Sequence, residues 1–129
     1  MPIYESGEDY LETILLLNKK TGYVRSIDIA NELNYSKPSI SRAMGILKED
    51  GFITVENGGQ IVLTDLGREK AEAVYDRHVT ITEFFKMLGV SPGTAEHDAC
   101  KIEHIISSES YRRLKEFMSR NGNDRETNE

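Results

Sequence analysis

The chain has 129 residues and a mass of 14.6 kDa, which suits one domain with at most a small appendage and excludes two full domains. Hydrophobic residues make up 38% of the sequence without a run of about 18 apolar residues, so a membrane-spanning helix is excluded. A single cysteine excludes an internal disulfide and no basic-then-apolar leader opens the chain, so we expect a cytoplasmic protein. The net charge of −6 argues against unspecific coating of nucleic acid.

The first half of the chain predicts three helices, over residues 6–19, 26–33 and 36–50. Ser6 and Ser26 are the expected N-caps of the first two helices, and Pro38 fits the first turn of the third, where a missing N–H has no cost. Apolar residues at helical spacing are expected to face the interior: Leu11, Ile14, Leu15, Ile27, Ala30, Leu33, Ile40, Met44 and Leu47.

Two short β-rich runs follow, residues 52–55 and 61–63, on either side of Asn57-Gly58-Gly59. An Asn-Gly-Gly segment between such runs predicts a β-hairpin. Two helices joined by a short turn and followed by a hairpin are typical of a winged helix-turn-helix. The hairpin is then the wing, and residues 36–50 form the recognition helix.

The second half of the chain is predicted to be helical. A long helix spans residues 65–88, a second begins at Ser91-Pro92, and a short last helix is capped by Ser107 or Ser108. The polar residues 121–129 are expected to be disordered. The apolar positions of the long helix that are expected to face the interior are Ala71, Val74, Ile81, Phe85 and Leu88, and the next helix carries Ala99, Ile102, Ile105 and Ile106.

Basic residues are concentrated in residues 19–48, which carry six basic and two acidic side chains and so a charge of +4, against −10 for the rest. A basic segment in an acidic chain is typical of a protein with one face on a polyanion, although chance is the alternative. The start of the predicted recognition helix has small hydroxyl residues and free backbone N–H groups, which suit insertion into a DNA groove. The alternative interpretation is an ordinary capped surface helix. The predicted DNA contacts are Arg25, Ser36, Lys37, Pro38, Ser39, Ser41, Arg42 and Lys48. Gly58-Gly59 at the wing tip would let the protein backbone approach the DNA backbone closely.

A second group of residues has the chemistry of a metal site. Cys100, Glu103 and His104 stand at i, i+3 and i+4, so on a helix they share one face, and thiolate, carboxylate and imidazole together suit a divalent transition metal. Asp9 and Glu12 form another i, i+3 pair, and His78 interrupts an apolar stripe. Each of these has an ordinary alternative: a core cysteine, a solvated helix start and a core histidine. His97 lacks a partner at helical spacing and is expected on the surface.

With these motifs the chain resembles the DtxR/MntR family of iron- and manganese-dependent transcriptional repressors. The resemblance covers residues 5–118 and is carried by Glu8-Asp9-Tyr10-Leu11-Glu12, Ser26 to Ala30, Thr64-x-x-Gly67, Arg77-His78 and Ala99-Cys100-x-Ile102-Glu103-His104. It implies a homodimer that binds double-stranded operator DNA when loaded with Fe(II) or Mn(II), without an organic cofactor or a membrane. It also implies a winged-helix DNA-binding domain over residues 1–64, a helical dimerisation and metal-binding domain over residues 65–120 and the disordered tail over residues 121–129, in the short form without an SH3-like domain.

The resemblance places the metal ligands at Asp9, Glu12, His78, Cys100, Glu103 and His104. The set is a hybrid, because the manganese branch has a carboxylate at the position of Cys100 and the iron branch has a thioether at the position of Asp9. A thiolate favours iron over manganese. One ion bridging the first helix and the dimer-forming helices would fix the spacing of two recognition helices, which implies reciprocal coupling between metal and DNA.

Three other functions compete with this hypothesis. A winged-helix regulator that senses a small molecule would bind DNA whether or not a chelator is present. A metallohydrolase needs an open metal position and a general base with defined spacing, for which the sequence gives no candidate, so we predict a regulator rather than an enzyme. A helical interaction module would show no salt-dependent DNA footprint.

Overall fold

The structure is a computed structural model that describes the backbone of residues 5–127 and the side chains of residues 7–121. Within this range the chain forms helices and one two-stranded antiparallel sheet: α1 Glu5–Thr21, α2 Ser26–Leu33, α3 Lys37–Glu49, β1 Ile53–Val55, β2 Ile61–Leu63, α4 Asp65–Met87, α5 Pro92–Ile102 and α6 Ser108–Thr127. The predicted mainly helical class with a winged helix-turn-helix is confirmed. None of the described helices is long and apolar enough to cross a membrane. The chain divides into two compact units, Met1–Ala73 and Val74–Glu129.

The helix-turn-helix of the first unit consists of α2 and α3. Asn34 takes the left-handed conformation between them (φ 58°), and the Tyr35 N–H donates to the Ala30 carbonyl at 3.0 Å. This sharp turn lets α2 pack against α3, and α2 also packs against α1. The buried side chains of this core are Leu11, Ile14, Leu15, Val24, Ile29, Ala30, Ile40, Met44 and Leu47.

The helix starts differ from the predicted ones in three places. α1 begins at Glu5, so Ser6 is not its first residue, and the Ser6 side chain lies outside the described ones. The N-cap of α2 is Arg25 rather than Ser26, because Asp28 accepts the Arg25 backbone N–H at 2.9 Å and holds that residue at the cap. Ser36 caps α3 instead of opening it, and its hydroxyl accepts the Ser39 N–H at 3.3 Å.

The wing is held against the start of α4 by close backbone packing. β1 pairs with β2 in the register Ile53↔Leu63, and Gly58 and Gly59 take positive φ (80° and 83°) at the tip. The Thr64 hydroxyl donates to the Gly51 carbonyl at 2.6 Å and accepts the Gly67 N–H at 3.1 Å. The Thr-x-x-Gly motif therefore caps α4 and ties it to the strand entry.

The second unit contains α5, α6 and the part of α4 from Val74 onward. Ser107 precedes α6 and its hydroxyl accepts the Ser110 N–H at 3.0 Å. α6 continues through Thr127, across most of the segment expected to be disordered, because extending an existing helix costs much less than starting one; residues 128 and 129 lie outside the described range.

Three of the apolar residues assigned to the predicted helices are exposed. Ile27 is 38% exposed, Leu88 is 63% exposed and Ile105 is 76% exposed. Leu88 and Ile105 lie just beyond the ends of α4 and α5, where no further helical turn covers them. Ile27 lies in the first turn of α2, roughly opposite the buried Ile29, and lines the cleft described below.

Candidate metal centre and nucleic-acid interface

A cleft of about 420 Å³ opens on the first unit between the helix-turn-helix and the wing. Its lining comes from three parts of the chain: Arg25, Ser26 and Ile27 at the start of α2, Lys37 and Ser41 on α3, and Gly59 at the wing tip. An added Cβ on Gly59 would lie 3.6 Å from the Arg25 guanidinium, an ordinary van der Waals distance, so the wing tip lies next to this arginine. The two cations, Arg25 and Lys37, and the two hydroxyl side chains, Ser26 and Ser41, are of the kinds that commonly contact phosphate.

The other predicted DNA contacts surround this cleft or lie away from it. Ser36 and Pro38 are exposed at the start of α3, Ser39 is half-buried and joined to Ser36 by a hydroxyl contact of 2.9 Å, and Arg42 is exposed on the same helix. Lys48 is also exposed, but it lies 11 residues after Lys37, or about 16 Å along the helix axis, and does not line the cleft. The DNA-contact set as a whole stays a prediction.

Three of the predicted metal ligands lie together in the second unit. His78 on α4, Cys100 on α5 and Glu103 just after α5 bring their ligand atoms within 4.8 Å of one another. His78 Nδ1 is 2.8 Å from Glu103 Oε2 and 3.9 Å from Cys100 Sγ. His97, as expected, is exposed.

Burial makes the Glu103 carboxylate the centre of this cluster. The Glu103 and His104 side chains are 0% and 1% exposed, and Glu103 Oε1 lies 3.4 Å from His104 Nε2. Within the described part of the chain this oxygen accepts no hydrogen bond. A buried carboxylate oxygen without a hydrogen bond, next to imidazole and thiol groups that can ligate a metal, suits a divalent cation. The cation would offset the cost of burying the negative charge of the carboxylate.

The ligand positions are not those of one continuous helix. α5 ends at Ile102, with Glu103 at its C-cap (φ −57°, ψ −25°) and His104 in the following turn. The Ile105 N–H donates to the Ile102 carbonyl at 3.0 Å, so the chain tightens into a turn directly after Glu103. The i, i+3, i+4 spacing brought Cys100 and Glu103 to one side, but the helix assumed for His104 stops short of it.

Asp9 and Glu12 lie one turn apart on α1, and both are half-buried. They belong to the first unit, whereas His78, Cys100, Glu103 and His104 belong to the second. The participation of α1 in the same metal site therefore stays a prediction.

A polar network that the sequence did not indicate lies beside the cluster. Arg77 Nη1 donates to the Glu103 carbonyl at 3.3 Å, and the Arg77 guanidinium lies 5.4 Å from the centre of the Tyr111 ring. The Tyr111 hydroxyl donates to the Asp76 carboxylate, which also lies 2.6 Å from Lys115 Nζ. Burial raises the pKa of Asp76, but the hydrogen bonds from Lys115 and Tyr111 outweigh it and the net pKa is lowered.

Two family models together match nearly the whole chain. Residues 3–59 match the N-terminal DNA binding domain of the iron dependent repressor, and residues 64–129 match the metal binding and dimerisation domain of the iron dependent repressor. The first match contains the cleft with Arg25 and Lys37, and the second contains the cluster around Glu103.

Individual relatives are similar over most of the chain. An uncharacterised HTH-type transcriptional regulator of Methanocaldococcus jannaschii is 36% identical over 118 residues, which are 90% of this chain and 94% of the relative. The HTH-type transcriptional regulator MntR of Listeria monocytogenes is 33% identical over 109 residues, 84% of this chain and 77% of the relative. The solved structure of the manganese regulator SloR has the same fold, with a TM-score of 0.77 at 24% identity over 92% of this chain; the chain spans about half (55%) of that structure's length.

Proposed function

This chain belongs to the iron-dependent repressor family of metal-dependent, DNA-binding transcriptional regulators, and from that premise we propose which of its residues bind the metal and which bind the DNA. The metal ligands are Glu103, His78, Cys100 and His104, with Asp9 and Glu12 completing the set. The observation that carries this proposal is the fully buried Glu103 carboxylate within 4.8 Å of imidazole and thiol ligand atoms. When bound, Fe(II) or Mn(II) supplies the positive charge that such a donor set lacks.

The role of each ligand follows from its position. Glu103 and His78 already contact each other at 2.8 Å, so the second unit holds a half-formed site. Asp9 and Glu12 add carboxylates from α1, the helix against which α2 of the helix-turn-helix packs. Without the cation these carboxylates and Glu103 repel one another, so the metal-free protein does not hold its DNA-binding unit in one orientation. Metal binding then raises DNA affinity, and DNA raises metal affinity by the same factor.

The DNA is bound by the cleft of the first unit. Arg25 and Lys37 contact phosphate, and the exposed hydroxyl residues at the start of α3 enter the major groove together with Arg42. As a homodimer the protein presents two such recognition helices, which match successive major grooves about 34 Å apart. Large apolar side chains left exposed in the second unit support dimerisation there: Val79, Leu88, Ile105 and Phe117.

The donor set favours iron over manganese. At any fixed set of nitrogen, oxygen and sulfur ligands Fe(II) binds more tightly than Mn(II), and the Cys100 thiolate widens the difference. Because the repressor acts on DNA, we place the protein in the cytoplasm. We assign it no catalytic role, no organic cofactor and no membrane partner.

The proposal is tested by DNA binding titrated anaerobically with Fe(II) and with Mn(II), using a duplex selected from random sequences by the metal-loaded protein. We expect tight binding that a chelator reverses, and Glu103→Gln is expected to abolish the metal dependence. Glu116→Gln is the matched control, because Glu116 is 48% exposed on α6 and pairs with Arg113. DNA binding by Glu103→Gln that responds to metal as the wild type does would show that Glu103 is not a ligand. DNA binding by the wild type that ignores the chelator would instead favour the small-molecule sensor.

A further inference from the structure

Arg77 connects two of the proposed metal ligands. It directly precedes His78 on α4, and its guanidinium donates to the backbone carbonyl of Glu103, 26 residues further along the chain, at 3.3 Å. Glu103 lies at the C-terminal end of α5, where helix carbonyls have no partner within the helix. Since the Glu103 side chain is completely buried, the position of this carbonyl sets the position of the carboxylate that faces His78.

Arg77 itself is held in place from α6. Its guanidinium stacks over the Tyr111 ring at 5.4 Å, while the Tyr111 hydroxyl donates to Asp76, the preceding residue of α4. Lys115, one turn further along α6, binds the same Asp76 carboxylate at 2.6 Å. Tyr111 therefore contacts two consecutive residues of α4, and these two immediately precede His78.

We propose that Arg77 is a positioning residue of the metal site and that Tyr111, by fixing Arg77, makes metal affinity depend on the docking of α6. The inference rests on the proposed metal site and goes beyond it, because neither residue supplies a ligand. Arg77 and Tyr111 act in the metal-free protein, where they hold the Glu103 backbone so that the Glu103 carboxylate stays near His78. Loss of groups that orient metal ligands typically lowers metal affinity 10- to 100-fold.

The test uses Co(II) as the probe, since its absorption spectrum reports thiolate ligation directly, and it uses the full-length chain. Arg77→Gln and Tyr111→Leu are expected to weaken Co(II) binding by roughly 10-fold to 100-fold and to change the spectrum at saturation. Arg77→Lys keeps the charge and one donor, and Tyr111→Phe keeps the ring, so both are expected to recover much of the affinity. Arg113→Gln is the matched control, because this α6 arginine is 70% exposed and contacts Glu116. All titrations run well below the melting temperature of each variant.

The outcomes separate this inference from the metal site on which it rests. A wild-type protein without a thiolate–Co(II) band would contradict the metal site. If the wild type shows the band and Arg77→Gln keeps its affinity and spectrum, Arg77 has only a structural role and the inference is overturned, even where the variant melts earlier. An equal loss in Arg113→Gln also overturns it, because the effect would then be unspecific. A Tyr111→Leu variant with wild-type affinity removes α6 from the proposal.

Discussion

Gly67 lies where the start of α4 passes closest to the wing, and alanine at this position is expected to destabilise the first unit. A Cβ built on Gly67 lies 1.9 Å from the Phe52 carbonyl oxygen, 2.9 Å from its carbon and 3.3 Å from Leu63 Cδ2. Contacts below 3.0 Å essentially never occur for real Cβ atoms, so backbone must move by more than 1 Å. The same Phe52 carbonyl accepts the Thr64 N–H at 3.0 Å, and this hydrogen bond is expected to weaken as well.

Three contributions set the size of the effect. Forcing a methyl group into a filled space costs about 1–3 kcal/mol, and weakening the bond to Thr64 adds up to about 1 kcal/mol. The better helix propensity of alanine returns about 1 kcal/mol. The free energy of unfolding is therefore expected to fall by about 2 kcal/mol, a decrease in melting temperature of roughly 5–15 °C.

Urea unfolding of Gly67→Ala and Gly45→Ala, followed by circular dichroism, measures this difference. Gly45 is the matched control because it lies inside α3, and a Cβ added there meets nothing within 4 Å. Gly45→Ala is expected to gain up to about 1 kcal/mol from helix propensity. If the two alanine variants have the same stability, the close approach of α4 to the Phe52 carbonyl does not exist in solution, and the reasoning on the wing is refuted.

Three further predictions concern other parts of the molecule. Thr82 is 8% exposed and, within the described residues, its hydroxyl has no hydrogen-bond partner, so Thr82→Val is expected to raise the free energy of unfolding by about 1 kcal/mol in urea; a loss would mean that the hydroxyl is satisfied in solution. The net pKa of Asp76 is lowered, so its carboxylate stabilises the folded metal-free protein above about pH 4, and this contribution is lost as the pH falls through the lowered value. Urea unfolding is therefore expected to show a larger stability difference between wild type and Asp76→Asn at about pH 5 than at about pH 2.5, and an equal difference at the two pH values would contradict this. Lys37→Ala should weaken DNA binding similarly for all sequences and reduce the slope of log affinity against log salt by about 1, and an unchanged slope would remove Lys37 from the phosphate contacts.

Much of the fold could be predicted from the sequence because it depends on local signals. The predicted α2, 26–33, has the observed bounds, and the predicted α3 and α4 differ by a residue at one or both ends. These bounds follow from Pro38 in a first turn, from Gly51 after α3 and from the apolar spacing between them. The hairpin follows from Asn57-Gly58-Gly59, whose glycines take positive φ. The exposure of side chains was predicted less well. Helical periodicity indicates the side of α2 on which Ile27 lies, but it does not indicate whether another element covers that side.

The sequence by itself determined the types of residue available for a metal site and their spacing along each helix, because side-chain chemistry and helical period are local properties. The tertiary structure decided which of them meet. His78 and Glu103 are 25 residues apart and touch at 2.8 Å, and Arg77 reaches the Glu103 carbonyl across 26 residues. Such contacts depend on how α4, α5 and α6 pack and on where α5 ends, and these are set by the summed burial of many side chains rather than by any short motif. The sequence could therefore predict a set of ligands, while the contacts of Arg77 with Glu103 and Tyr111 became visible only in the packed helices.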